Sequence, residues 1–290
     1  MKLFNTNTSE TLHSTFSVAR RDQHPWHYEP WGDYAIDGVP GTGSRITMSF
    51  LDPAGAKTGK ALPTGNPFDI LTLPSGETIQ ASLTDIANPG VFVSASDLGV
   101  AGDVHPDTLG SNPELMARLE QIRRAGARLM GLDPGIQSIP KIVLLSPPSA
   151  SERAEGVNVV CRALSMQQAH RAVPLTLALN LGASCNLPGT LPAQVAVDAA
   201  GQQSVIIAHA SGRLEVGSVV GGDGKIASAL LHRTARVLME GESSTSTKRS
   251  EVCTDWYRIR RMSAVDFSWK EEEADPSQSL RRHVQEDWRS

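Results

Sequence analysis

Pro174-Leu175-Thr176-Leu177-Ala178-Leu179-Asn180-Leu181-Gly182-Ala183-Ser184 decides the fold. Pro suits the first position of a helix, where its missing N–H costs nothing, and Pro188-Gly189 ends the segment. Between them the residues are apolar or small on every side. A helix without a polar face must be surrounded, so the segment predicts a helix through the middle of a domain with strands wrapped around it. The flanking sequence supplies those strands. Residues 141–145 and 157–164 are apolar runs that read as buried strands, with Ser146-Pro147-Pro148-Ser149 as a loop between them. Residues 193–199, 204–209 and 214–220 predict further strands after the helix, with Arg213 in the turn that follows Ser211-Gly212.

Upstream, residues 34–73 read as short strands between Gly/Pro turns, and Arg45-Ile46-Thr47-Met48-Ser49-Phe50-Leu51 alternates with period two. Strands are also expected over 78–83 and 90–94. Asn112-Pro113-Glu114 announces a helix, with an N-cap, Pro at the first position and an acid at the positive end of the dipole. Leu115, Leu119, Ile122, Gly126 and Leu129 lie on one stripe, Arg123, Arg124 and Arg128 on a face read as solvated, and Gly131 is the stop.

Pro53-Ala54-Gly55-Ala56-Lys57-Thr58-Gly59-Lys60-Ala61-Leu62-Pro63-Thr64-Gly65-Asn66 is too rich in small, turn-forming residues to be core. Its backbone can come close to a ligand while N–H and O–H donors point at it. That is the composition of an anion-binding loop, and equally of a structural double turn between strands. It does not fit G-x-x-x-x-G-K-[ST], because Gly55, Gly59 and Lys60 are misplaced and Ala61 stands where Ser or Thr should be.

The whole chain has 290 residues, 40% hydrophobic and 5% aromatic, enough for one good core. A net charge of −4 without a local Lys/Arg cluster argues against nucleic acid. No apolar run approaches the roughly 18 residues of a membrane span, and the polar start (Asn5, Thr6, Asn7, Ser9, Glu10) is unlike a signal peptide. Cys161, Cys185 and Cys253 have unrelated spacings, giving neither a disulfide framework nor a zinc site. His24 and His27, three apart beside Pro25, read as a loop rather than a metal pair. A cytoplasmic protein without bound metal is the expectation.

Further segments carry a resemblance when taken in order: Ile36-Asp37-Gly38-Val39-Pro40-Gly41-Thr42-Gly43, the 53–66 loop, Ser82-Leu83-Thr84-Asp85-Ile86-Ala87-Asn88-Pro89-Gly90-Val91-Phe92-Val93, His170-Arg171-Ala172-Val173, Leu187-Pro188-Gly189-Thr190, His209-Ala210-Ser211-Gly212 and Arg233-Thr234-Ala235-Arg236-Val237-Leu238-Met239. Together, from about Phe4 to Gly241, they resemble the PrpF-type isomerases, which include methylaconitate, aconitate and oxalomesaconate isomerases. The resemblance implies an α+β, diaminopimelate-epimerase-like fold: a twisted, barrel-like sheet around a central buried helix, one domain of the usual two, with 225–236 as the returning strand. It implies an isomerase that shifts a double bond in an aconitate-like di- or tricarboxylate by proton transfer, without metal or organic cofactor. The family's Asn-Cys-Gly-Asn loop, its Lys and its Ser-Lys motif have no match here. The expected organisation is therefore a remnant or linker over 1–34, the second epimerase-like domain over 35–241, and a charged, disordered tail over 242–290. The tail opens on Ser243-Ser244-Thr245-Ser246-Thr247-Lys248-Arg249-Ser250 and holds Trp256, Trp269 and Trp288. A partner-binding segment or a gene-model error are the other readings of that tail.

A small carboxylate is the expected ligand, with a homo-oligomer or a complementing first-domain chain as the expected partner. The start of a buried helix offers orphan N–H groups and about half a positive charge to a carboxylate. In the family that end faces the substrate, which makes His170, Arg171 and Thr176 binding candidates; loop cap and helix back-bonder are the plain alternatives. Thr64, Gly65 and Asn66 form a second polar group, and Ser211 and Gly212 a third. His209 shares a strand face with Ser211 and reads as an acid, a base or a structural histidine. Lys60 and His170 complete the candidates for proton transfer. Cys161 and Cys185 sit in apolar surroundings and read as inert. A non-catalytic or truncated member acting as a binding module is the alternative reading of the whole.

Overall fold

The computed structural model describes residues 1–5, 10–20, 26–222 and 224–236. The expected tail, Cys253 and the His24 half of the histidine pair lie outside the described residues. In chain order the elements are β1 (Lys2–Asn5), β2 (Glu10–Thr15), β3 (Val18–Ala19), β4 (His27–Tyr28), β5 (Tyr34–Ile36), β6 (Val39–Gly43), β7 (Ile46–Leu51), β8 (Asp69–Thr72), β9 (Thr78–Ile86), β10 (Asn88–Ser94), α1 (Pro106–Gly110), α2 (Pro113–Leu129), β11 (Lys141–Ser146), α3 (Ala150–Ala154), β12 (Val159–Ser165), β13 (Gln168–Ala169), α4 (Leu175–Ser184), α5 (Leu191–Val195), β14 (Ser204–His209), β15 (Gly212–Val220) and β16 (Ile226–Arg233).

Eleven strands pair in the order β1-β2-β7-β16-β15-β14-β12-β11-β10-β9-β8, and β13 pairs with β12 beside this path. Neighbours are antiparallel except β10 with β11 and β12 with β14. Two short ribbons, β3-β4 and β5-β6, pair separately. The chain divides into two units: Met1–Ser17 with Glu29–Arg236, and one whose described part is the β3-β4 ribbon.

As its sequence requires, α4 is enclosed. It packs against β9 and β10 on one side and β14, β15 and β16 on the other, so the sheet curls around it. Every residue from Leu177 to Ser184 is buried. Fully burying one leucine contributes roughly 1.5–3 kcal/mol, and Leu177, Leu179 and Leu181 are all at 0% exposure. The strands β10, β11 and β12 are apolar on both faces because each face has its own core. Phe92, Val143, Leu145, Cys161 and Ala163 pack with α4, while Val91, Val93, Ile142, Leu144 and Leu164 pack with Leu119 and Ile122 of α2. Alternation along a strand thus feeds two helices on opposite faces.

Asn180 brings amide groups into this interior and all of its bonding capacity is used. Its Oδ1 accepts from Thr84 Oγ1 (2.5 Å) and Ser184 Oγ (2.9 Å), and its Nδ2 donates to the carbonyls of Thr84 (3.0 Å) and Asn88 (2.7 Å).

The 53–66 loop does gather around an anion, and the anion is the chain's own. Asp85 is completely buried, and its Oδ2 accepts from Lys57 N (2.8 Å), Thr58 N (2.7 Å) and Thr58 Oγ1 (2.9 Å). The main chain of Asp85 is bonded to Gly55 and Ala61 as well. Gly55 has φ +78°, and a Cβ there would lie 2.3 Å from the Gly59 carbonyl carbon, so the tight wrap requires glycine.

Several expectations need correction. Residues 193–199 form no strand: Thr190 caps α5 through its hydroxyl, and a helical turn precedes an irregular stretch. Arg123 is not solvated but 3% exposed, paired with Glu120 and donating to the carbonyls of Pro134, Ile136 and Ile139. Helical periodicity could not show those carbonyls, because the loop after α2 folds back over it. Leu129 is 49% exposed at the frayed end of the stripe. Arg213 lies within β15, opposite Ala208. Within residues 1–34, expected as a remnant or linker, β1 and β2 pair into the sheet through β7.

Gly182 faces Val216, and an added Cβ would sit 2.7 Å from Val216 Cγ1. Gly182→Ala is expected to destabilise by about 1–3 kcal/mol through overpacking, despite the better helix propensity of Ala. Urea denaturation should show the Gly182→Ala/Val216→Ala pair losing less than the sum of the two single changes. Strict additivity would mean that the helix does not press on β15 there.

Candidate functional site

Only the first turn of α4 comes to the surface: Pro174, Leu175 and Thr176 are partly exposed, and Pro174 makes no side-chain cap. The main-chain N–H groups of such a turn lack helical partners and point out from the helix start. The β9–β10 turn lies against this end. Asn88 Nδ2 donates to Thr176 Oγ1 (3.1 Å), and Asn88 Oδ1 is shielded without a partner. The Asn88 carbonyl is held by Asn180, so the buried network fixes the residue that faces the helix start. The turn itself is tight. Ala87 has φ +60°, an uncommon conformation for a residue with a Cβ, and its N–H donates to the Pro53 carbonyl (2.6 Å).

Lys141 begins β11 beside Gly90 of β10. It is partly buried, donates to the Ser138 carbonyl (3.0 Å), and burial lowers its pKa. His170 is anchored by its N–H on the Ala163 carbonyl (2.9 Å). Its Nε2 is shielded and has no partner, and burial, then the Lys141 charge, lowers its pKa. One end of the sheet thus gathers the Asn88 turn, a helix start, an ammonium and a neutral imidazole. Oxyanions bind where such donors converge.

The third sequence group joins the same end. Ser211 N donates to the Arg171 carbonyl (3.0 Å) and to His209 Nδ1 (3.2 Å). Burial lowers the His209 pKa, opposed by a main-chain hydrogen bond with Arg171 and by Asp37. Gly212 packs against Asp37, whose carboxylate takes Arg213 N (2.8 Å). The Arg171 side chain points to solvent and pairs with Asp107 (2.9 Å).

The second group is held elsewhere. Thr64 Oγ1 and Asn66 Nδ2 donate to the two oxygens of Asp69 (2.7 and 2.9 Å). Asp69 pairs with Ala81, five residues before Ile86 on β9, which puts this cluster about 17 Å along the strand from the Asn88 turn. Gly65 is open around its Cα, and Lys60 is exposed. Neither of two surface hollows, about 550 and 230 Å³, is lined by Asn88, Lys141, His170 or Thr176. Cys161 and Cys185 are buried, and burial pushes both thiols up to about 12, as expected of inert thiols.

Sequence reasoning did not single out Asn88 or Lys141 as candidate site residues. Asn-Pro-Gly after an apolar strand signalled a turn, but not that the turn meets a helix start 88 residues later. Lys141 read only as the first residue of a buried strand.

A model of the PrpF protein family matches residues 1–246. The chain belongs to the PrpF family. It is 36% identical over 254 residues to a 3-methylitaconate isomerase from Eubacterium barkeri, covering 82% of this chain and 65% of that one. It is 37% identical over 212 residues to a (4E)-oxalomesaconate Delta-isomerase from Novosphingobium sp. (strain KA1), covering 72% and 57%. The chain therefore spans about three-fifths of the length of these PrpF relatives. A crystal structure of methylitaconate-delta-isomerase superposes with a TM-score of 0.72 at 34% identity, over 86% of this chain and 69% of that one. The expected PrpF fold, with its sheet around a central helix, is the observed one. No helix among the described residues is long and apolar enough to cross a membrane.

His170, His209 and His232 are all held below the ordinary imidazole value of 6.5, with burial the largest cause in each. The folded state keeps them neutral, while the unfolded chain takes up protons near 6.5. Their contribution to stability is full above that pH and lost as pH falls through the lowered folded values. Urea midpoints should therefore drop between about pH 7.5 and about pH 5.5, and His170→Gln should flatten part of the drop. A midpoint that does not move across this window would contradict the burial of the rings.

Proposed function

We propose that this chain holds the substrate of a double-bond-shifting isomerase acting on a small di- or tricarboxylate of the aconitate or itaconate type. The observation that carries the reading is the start of α4, exposed for one turn and met by Asn88, with Lys141 paired beside Gly90 two residues on and His170 within electrostatic reach of Lys141. Family membership and the isomerase activity printed for the relatives support it.

In such a reaction a base removes a proton from a carbon next to the double bond. The electron pair moves through the allylic system onto a carboxylate, and a proton returns at the far carbon. Nothing is gained or lost overall. The charge that develops on the carboxylate oxygens needs fixed donors, which the N–H groups of α4, Thr176 Oγ1 and Asn88 supply. Lys141 neutralises the charge of the substrate. His170 is our candidate for carrying the proton, because its shielded, neutral ring has an unused nitrogen. His209, Ser211, Gly212 and the Arg171 main chain shape the wall beside it. Thr64, Gly65, Asn66 and Lys60 would serve a more distant carboxylate or the approach to the site. Leu3 and Phe4, exposed on edge strand β1, offer apolar surface to a second copy or a complementing domain.

Proton NMR in deuterated water, with cis-aconitate, trans-aconitate and methylitaconate, tests this. Deuterium should enter the carbon skeleton and an isomer should form. Thr176→Val and Asn88→Ala each remove a hydrogen bond to a charged group, worth roughly 1.5–3 kcal/mol, and should lower kcat/KM about ten- to hundredfold. His170→Asn should lower kcat by about a hundredfold or more with little change in KM. Tricarboxylate binding without any exchange at carbon would sink the enzymatic reading. Turnover indifferent to Asn88 and Thr176 would move the site away from α4.

A further inference from the structure

The hollow of about 550 Å³ has no part in this scheme. It opens where residues 31–34 cross the start of β7, and five strands of the sheet lie between β7 and β10. Main-chain contact forms it: Ser44 N donates to the Pro30 carbonyl (3.0 Å), and Gly32 presses on Gly43 and Ser44 so closely that a Cβ would lie 2.7 Å from Ser44 Cα. The result is a hydroxyl left without a partner. Ser44 lines the hollow, is only 3% exposed, and its Oγ has no hydrogen-bond partner. A buried hydroxyl left unpaired costs free energy that a ligand can return.

Arg45 lines the same hollow and is exposed, and none of its guanidinium donors is engaged by another described residue. Thr47 is turned to His232, whose Nδ1 lies 3.0 Å from its Oγ1, and His232 in turn meets the Tyr34 ring edge-on with centroids 5.7 Å apart. Tyr34 is therefore fixed as a wall, and Trp31, 76% exposed, is a second flat surface at the opening. Asp33 contributes the acid of the lining. The site combines a guanidinium and a buried hydroxyl for a carboxylate, a carboxylate for a ligand donor, and two flat side chains for an apolar body.

We propose that this hollow is an accessory binding site for a small hydroxy-carboxylate with a flat apolar body. The ligand's carboxylate lies on Arg45 and Ser44 Oγ, its hydroxyl on Asp33, and its body against Trp31 and Tyr34. This site is independent of the one at the start of α4, and either can fail without the other.

Titration calorimetry on the full chain tests it with 3-phenyllactate as the probe, beside 3-phenylpropionate, which lacks the hydroxyl, and 3-phenyllactamide, which lacks the charge. The expected result is saturable binding of phenyllactate, weaker binding of phenylpropionate and none of the amide. Arg45→Gln should weaken binding about tenfold or more, and Ser44→Ala severalfold. Asp33→Asn should abolish the preference for the hydroxyl, and Thr176→Val should change nothing. Arg45 is at the surface, so its variant should melt like the parent. No saturable heat up to the solubility limit, equal affinity for the three probes, or loss of binding on Thr176→Val would each overturn the proposal.

Discussion

Enclosing a helix on every side leaves no water to satisfy its polar groups, and the rest of the structure follows from how the chain meets that demand at α4. Asn180 is the amide inside the enclosure, and it is satisfied by Thr84, Ser184 and the Asn88 carbonyl. Those bonds join the helix to β9 and β10 at a fixed height. Because the Asn88 main chain is used inward, its side chain is left to face the first turn of the helix. A packing requirement in the core therefore sets the geometry of the only turn of α4 that meets solvent.

The 53–66 loop shows how a correct physical reading can have an internal answer. Its glycines and free N–H groups suit an anion, and an anion sits among them, but it belongs to Asp85 of the adjacent strand. Composition reports that donors converge; it is silent on whether the acceptor comes from solution or from the fold. Here the internal carboxylate anchors the loop against the β9–β10 turn, and the Pro53 carbonyl then supports Ala87 in its strained conformation. The part of the loop around Asp85 thereby steadies the turn that carries Asn88.

What could be read from sequence divides along the same line between local and distant. The all-apolar pattern of 174–184, the Asn112 cap of α2 and the alternation of 45–51 are local signals, and each became the expected element. Residues 193–199 went wrong because a Thr cap and Pro at the start of a short helix outweighed a run of β-compatible side chains. Arg123 went wrong because its partners, the carbonyls of 134–139, come from a loop that helical periodicity does not describe. His170, Thr176, His209 and Ser211 were chosen for different reasons, and the fold brings them to one end. Asn88 and Lys141 complete that end through strand pairing, which no single segment encodes.

The neutral imidazoles and the lowered Lys141 pKa have one origin. At the end of the sheet where α4 begins, the walls of the two cores come within reach of the surface, so polar groups there are half-desolvated without being sealed. Partial desolvation disfavours the charged form of each and so lowers the proton affinity of both the ammonium and the imidazole. It also strengthens the pull of the α4 N–H groups on any carboxylate placed among them. Proton transfer next to a carboxylate needs both effects at once: a base that stays unprotonated at neutral pH, and a fixed positive field where charge develops. A fully exposed helix end would lose the first and weaken the second. A fully buried one would admit no ligand. The single exposed turn of α4 lies between those limits.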